Sequence, residues 1–126
     1  MIYQKNFNKL QRLLKDLSVP PKTMKLKSDP YMDLSIEAIN RENGQYVVVM
    51  SHYYTQNGDL IPDPDMTVKV MPALGMVEAL SYQDRFGYRA VYPKPGLVDV
   101  NTKKDLNNFL GTWLSNLLAQ GFKAPS

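Results

Sequence analysis

The residues able to do chemistry gather between His52 and Met66. This stretch holds the chain's only histidine, the adjacent Tyr53 and Tyr54, an Asn57-Gly58 pair and three aspartates, Asp59, Asp63 and Asp65. Carboxylates are hard oxygen ligands, so His52, Asp59, Asp63 and Asp65 could together hold a divalent ion and support a small metal-dependent site. The spacing is not that of a calcium loop, which needs a glycine at its sharp turn and a bidentate glutamate at its end. The same residues also build turns, because Asp and Asn bond their own backbone and Pro62 and Pro64 fix φ. Turn structure is therefore the expected use of the aspartates. Ten residues from Gln56 to Asp65 exceed a common hairpin loop. The extra length makes the loop, with Tyr53, Tyr54, Gln56, Asn57, Asp59, Asp63 and Asp65, a candidate recognition surface.

Other chemistry is thinly supported. Acid–base catalysis would have to use His52 or a carboxylate, and a strand histidine beside two tyrosines is expected to be half-buried and hydrogen-bonded. Ser51 and Ser81 stand in no nucleophile-elbow motif. Glu37 and Glu78 fall on expected strands and could share a sheet face as an acid/base pair; solvent exposure, or pairing with Lys69 and Arg89, is the plainer outcome. The seven glycines are scattered and form no phosphate-binding loop. The absence of cysteine removes disulfides, thiolate zinc sites and thiol nucleophiles. No catalytic residue and no cofactor is expected. Tyr46, Tyr53, Tyr54, Tyr82, Tyr88 and Tyr92 lie on or beside strands. They form either the second half of the core or an exposed aromatic patch suited to protein contact or base stacking.

The elements that must position these residues follow from hydrophobic period. Residues 4–17 repeat Phe7, Leu10, Leu14 and Leu17 at helical spacing, with Leu13 widening the stripe and Asn6 able to cap a shorter helix. Pro20-Pro21 ends it. Met24 and Leu26 alternate with lysines as a short edge strand. Met32 to Ala38 alternates as a half-buried strand, and Asn43-Gly44 turns the chain. Gln45 to Thr55 has two apolar faces, which predicts a central strand covered on both sides along part of its length. Met66–Met71, Met76–Tyr82 and Phe86 or Tyr88 to Tyr92 follow as strands. Leu106, Phe109, Leu110, Trp113, Leu114, Leu117 and Leu118 mark a C-terminal amphipathic helix, capped by Asn101 or Thr102 and closed by Gly121. Gly111 interrupts its interior: either something approaches closely there, such as the N-terminal helix, or the glycine is neutral. Strands run together between two helices with connections too short for parallel crossovers. That predicts an α+β fold in which an antiparallel meander of about five strands is packed by the C-terminal helix.

At 126 residues the chain is expected to form a single domain. Its parts are a helix and proline stop at 1–21, a sheet region at 22–100, a helix at 101–121 and a frayed tail at 122–126. The composition is 44% hydrophobic and 21% charged, ordinary for a globular protein. No signal peptide and no apolar run long enough to span a membrane is read, so a cytoplasmic location is expected. Residues 1–27 carry seven basic side chains against Asp16 alone, a net +6 on a chain of net +3. The basic 5–27 segment could meet nucleic acid, or simply solvate a helix face.

Asn6-Phe7 with Leu10 and Arg12-Leu13-Leu14 resembles the opening of the YqiB-like bacterial proteins. Met66-Thr67-Val68-Lys69-Val70, Met76-Val77-Glu78 and Tyr88 with Ala90, Tyr92 and Pro93 are similar to their strand region. Asn108-Phe109-Leu110, Trp113-Leu114 and Ala119 with Gly121 resemble their closing helix. The Gln56–Asp59 and Asp63–Met66 pieces resemble a related group of small uncharacterised domains met on plasmids and phages. Both groups have unknown function, so the resemblance implies a compact domain and carries over no site residue. The expectation is a non-enzymatic module whose partner is another protein.

Overall fold

The computed structural model describes residues 1–125. The elements run α1 (Ile2–Leu14), β1 (Met24–Leu26), β2 (Leu34–Glu42), β3 (Gln45–Gln56), β4 (Asp59–Met71), a 3-10 turn at Pro72–Leu74, β5 (Met76–Asp84), β6 (Gly87–Ala90) and α2 (Val100–Ala119). The six strands form one antiparallel sheet in sequence order. The fold is the expected α+β meander between two helices. It has six strands rather than five because Met24–Leu26 pairs fully with Leu34–Ile36.

Register sorts the side chains into two faces. Ile36, Met50, Met66 and Tyr82 form one cross-strand row, and Ala38, Val48, Val68 and Ala79 the next. This face packs under both helices. Met50, Met66, Val48 and Val68 join Leu10, Leu13, Leu14, Leu106, Leu110, Leu114 and Leu117 in one core cluster. On the other face Ser35, Ser51, Asp65, Gln83 and Tyr88 form a row, followed by Glu37, Val49, Thr67, Ser81 and Ala90, then by Ile39, Val47, Lys69 and Glu78. Both helices sit on the first face, so β3 is central but covered on one side only, which corrects the expectation of cover on both. Val47 and Val49 explain the misleading pattern: they are β-branched residues left half-buried on an uncovered surface.

One polar side chain joins the layers. Asn107 of α2 is 2% exposed and Asn6 of α1 is fully buried. The Asn107 Oδ1 accepts the Ala79 N–H at 2.9 Å, its Nδ2 donates to the Lys103 carbonyl at 2.7 Å, and its own carbonyl accepts from Asn6 Nδ2 at 3.0 Å. β6 pairs only with Ser81–Asp84, so Ala79 lies where β5 is an edge and its N–H needs a partner from outside the ladder. The helices meet closely at Gly111, where a Cβ would stand 2.8 Å from Asn6 Oδ1. Of the two readings of this glycine, close approach by α1 is the one the packing shows.

Four expected ends differ. α1 stops at Leu14, with Lys15 at φ 72°, short of the expected end at residue 17 before Pro20-Pro21. Asn6 does not cap α1, because the helix begins at Ile2 and Asn6 is spent on Asn107. Asp99, not Asn101 or Thr102, caps α2; its carboxylate accepts the Thr102 N–H at 3.0 Å. That bond holds the Asp99 carboxyl below its ordinary pKa. The expected fraying after residue 121 fails for Phe122, which is 1% exposed, and for Ala124, whose N–H donates to the Leu13 carbonyl at 2.8 Å. Ser126, the last residue of that expected tail, lies outside the described residues.

Removing the Asn107 side chain strands the Ala79 N–H in the interior, while the backbone carbonyl that receives Asn6 remains. Asn107→Ala is expected to lower the unfolding free energy by about 1–3 kcal/mol, read from the urea midpoint. Gly111→Ala is expected to lower the same midpoint, whereas an unhindered helical glycine would gain about 1 kcal/mol from that change.

Candidate functional site

The stretch from Gln56 to Asp65 is not a loop. β3 runs through Gln56 and β4 starts at Asp59, joined by Asn57-Gly58. Asn57 has φ 53° and Gly58 φ 84°, the left-handed pair that a two-residue hairpin needs. Tyr53 pairs with Pro62, Tyr54 with Ile61 and Thr55 with Leu60. The last β2–β3 pair is Leu34 with His52, and the last β4–β5 pair is Asp65 with Gln83. Beyond these the hairpin is a two-stranded arm with no third strand beside it. A bulge at its root sets Ser51–Tyr53 against Pro62–Asp65, one extra residue on β4.

The expected site residues separate along this geometry. Gln56, Asn57, Asp59 and Asp63 are exposed on the arm. Tyr54 reaches Gln56 Oε1 at 3.5 Å. Tyr53 and Asp65 meet at the arm's root on the open face. There Asp65 Oδ2 accepts from Ser51 Oγ at 2.8 Å and from the Tyr53 hydroxyl at 3.3 Å. One row on, the Thr67 and Ser81 hydroxyls stand 2.6 Å apart. His52 points to the helix face instead. Its ring lies 5.6 Å from Trp113 and 5.9 Å from Phe122, and its Nδ1 is 3.0 Å from the Asp33 carbonyl. It is the hydrogen-bonded strand histidine expected, more deeply buried at 8% exposure.

This arrangement bears on the metal alternative. His52 and Asp65 occupy opposite faces, and Asp59 and Asp63 lie out along the arm. Among the described residues no three His, Cys, Asp or Glu side chains gather to hold an ion. The hydroxyl-carboxylate pair of Ser51 and Asp65 has no imidazole on its own face to complete a nucleophilic relay. Glu37 and Glu78 do share the open face, but β3 and β4 separate them. The ion pair of Glu78 is with Lys103 at 3.5 Å, not Lys69, and that of Arg89 is with Asp105 at 3.2 Å.

The tyrosines divide. Tyr46 is core at 2% exposure, its hydroxyl donating to the Leu17 carbonyl at 2.8 Å. Burial, with Asp16 nearby, pushes its pKa up to about 12. Tyr82 stacks edge-on against Phe109 and is pushed up to about 12 by burial and by its bond to Asp84. Tyr53 and Tyr88 stand on the open face. Tyr92 leans over that face and donates to Glu78 Oε2; burial and then Glu78 raise its pKa. Burial pulls Lys103 down, but Glu78, Tyr92 and Tyr3 more than reverse it and leave its pKa raised. The patterns gave no signal for this edge cluster, whose members come from β5, α2 and the irregular chain between.

Two hollows flank the open face. One of about 320 Å³ is lined by Lys25, Ser35, Glu37, Val49, Ser51 and Tyr53. The other, about 470 Å³, is lined by Asn40, Glu42, Gln45, Val47, Lys69, Glu78 and Tyr92. The basic N-terminal segment is partly committed elsewhere. Lys9 donates to the Gly111 carbonyl at 3.2 Å and Lys27 pairs with Asp33 at 3.6 Å.

His52→Ala is expected to cost about 2–4 kcal/mol in urea unfolding, as a core truncation does. Asp59→Asn and Asp63→Asn, out on the arm, are expected to stay within about 0.5 kcal/mol of the parent. Tyr46 and Tyr82 ionise more readily unfolded, near pH 10, than folded, near 12. Their contribution is therefore intact below pH 10 and lost as pH rises through 12. Tm is expected to fall across that window, and Tyr46→Phe with Tyr82→Phe to flatten the fall.

No curated protein and no solved structure matches the chain. Among the described residues no helix is long and apolar enough to cross a membrane. One family model does match, over residues 5–123, and like the resemblance drawn from the sequence it carries no assigned activity. With nearly its whole length inside that match, the chain belongs to the family defined by the domain of unknown function DUF6908.

Proposed function

We propose that the protein is a non-catalytic binding module that engages another protein through its open sheet face and the β3–β4 arm. The observation that carries this reading is the asymmetry of the sheet. One face is sealed by two helices. The other is floored by small residues, Ser35, Ser51, Val49, Thr67, Ser81 and Ala90, and offers width without deep relief. The arm extends this surface and presents Leu60, 69% exposed, beside Asp59 and Asp63. A two-stranded ribbon is marginal alone in water, so a partner lying against it supplies the third contact it lacks. Tyr53 at the root brings a broad ring with a polar tip, the side chain favoured in such interfaces. The dispersal of His52, Asp59, Asp63 and Asp65 supports binding over metal-dependent catalysis.

A benzophenone side chain placed at Val49 or Leu60 tests this in the native host. The expected result is one shared cross-linked protein from both positions and none from Ser115 on the outer side of α2. Val49→Arg combined with Leu60→Asp should abolish its recovery without changing the melting temperature. Equal labelling from all three positions would sink the reading.

A further inference from the structure

A second surface adjoins the open face, at the β5–β6 hairpin and the chain leaving it, and shares Tyr88 with that face. The sequence there is Arg85-Phe86-Gly87-Tyr88-Arg89, with Tyr92 and Lys94 following. Phe86 is 81% exposed and Tyr88 63%, well beyond Tyr53 at 38%. Exposed rings of this size need an explanation. The turn that presents them is fixed: Asp84 accepts the Phe86 N–H at 2.8 Å and the Tyr82 hydroxyl at 3.0 Å. The Arg85 guanidinium lies 4.7 Å from the Phe86 ring centre.

We propose that this strip binds single-stranded nucleic acid, with bases stacked on Phe86 and Tyr88 and phosphates met by Arg85 and Lys94. Three features favour that occupant over a protein. The rings alternate with cations, whereas the centre of a protein interface is depleted of charge. Arginine against an aromatic ring offers a second plane to a base, so a base can be held by stacking and cation–π contact together. The neighbouring carboxylates are already committed. Between residues 84 and 105 stand five basic and three acidic residues. Asp84 holds the turn, Asp99 caps α2 and Asp105 pairs with Arg89. Arg89 and Lys103 are paired as well, so what favours a phosphate backbone is the net +2 of this segment (5 − 3) with Arg85 and Lys94 in it. Duplexes hide the base faces that such rings require, so the single strand is the form recognised.

The test is fluorescence anisotropy of the full chain with labelled fifteen-nucleotide oligo(dT), oligo(rU) and a duplex of about the same length. The expected result is single-strand binding that weakens steeply as salt rises from about 50 to 200 mM. Phe86→Ala and Tyr88→Ala, both surface truncations that should leave Tm unchanged, are each expected to weaken it about 5- to 150-fold. Phe86→Trp should restore or exceed the parent affinity. Arg85→Ala should reduce the salt slope, and the two single strands report whether the sugar is read. Duplex binding as tight as single-strand binding would overturn the proposal. So would indifference to both ring truncations, or loss of binding from Lys5→Ala with Arg12→Ala on α1 in place of the strip. A partner protein captured at Tyr88 with no oligonucleotide affinity tighter than about 1 mM would assign the strip to protein docking and overturn it as well.

Discussion

The carboxamide of Asn107 is the constraint on which the rest of the structure depends. It answers a backbone N–H at the point where β5 becomes an edge, and it does so from the middle of α2. That fixes the height of α2 over the sheet and its rotation about its own axis. The Asn107 carbonyl in turn receives Asn6, so α1 is placed by the same residue. The Asn107 carboxamide has partners for both its oxygen and its nitrogen, whereas Asn6 Oδ1 is buried without one, so the link is set by Asn107 and the Asn6 Nδ2 donor. Gly111 follows from this arrangement. Asn6 can reach Asn107 only if α1 comes within a distance that a methyl group on residue 111 would deny.

With both helices committed to one face by this link, the other face is free. The sequence meets the situation with small and hydroxylic side chains along the exposed rows and keeps the large apolar ones beneath the helices. Ser51, Thr67 and Ser81 satisfy one another or Asp65, which leaves a floor that neither clashes with a visitor nor collapses on itself. Both edges of the sheet are short, three residues in β1 and four in β6, which limits uncontrolled strand addition.

Much of this fold was legible in the chain. Period 3.6 in α1 and α2, period two in β2, and the Asn43-Gly44 turn each translated directly into an element. The site was less legible, for identifiable reasons. Pro62 and Pro64 between aspartates read as loop punctuation, yet Pro62 sits opposite Tyr53 and Pro64 lies in the bulge, positions where a strand tolerates a missing N–H. Asn57-Gly58 carried the correct signal and was outweighed by those prolines. Asn6 and Asn107 are a hundred and one residues apart and look like surface amides until the helices are placed together. Phe122 follows a helix-ending glycine and reads as tail, but it closes the core beside His52.

The bulge at the root of the arm has a wider consequence. The hydrogen-bond ladder that holds the core is complete at Ser51 and Asp65, and every residue from Tyr53 to Pro64 lies outside it. The extra residue in β4 shifts the inward–outward alternation of that strand, while β3 keeps its phase through Ser51, His52 and Tyr53. Length and composition past this point can therefore drift without a compensating change in the interior.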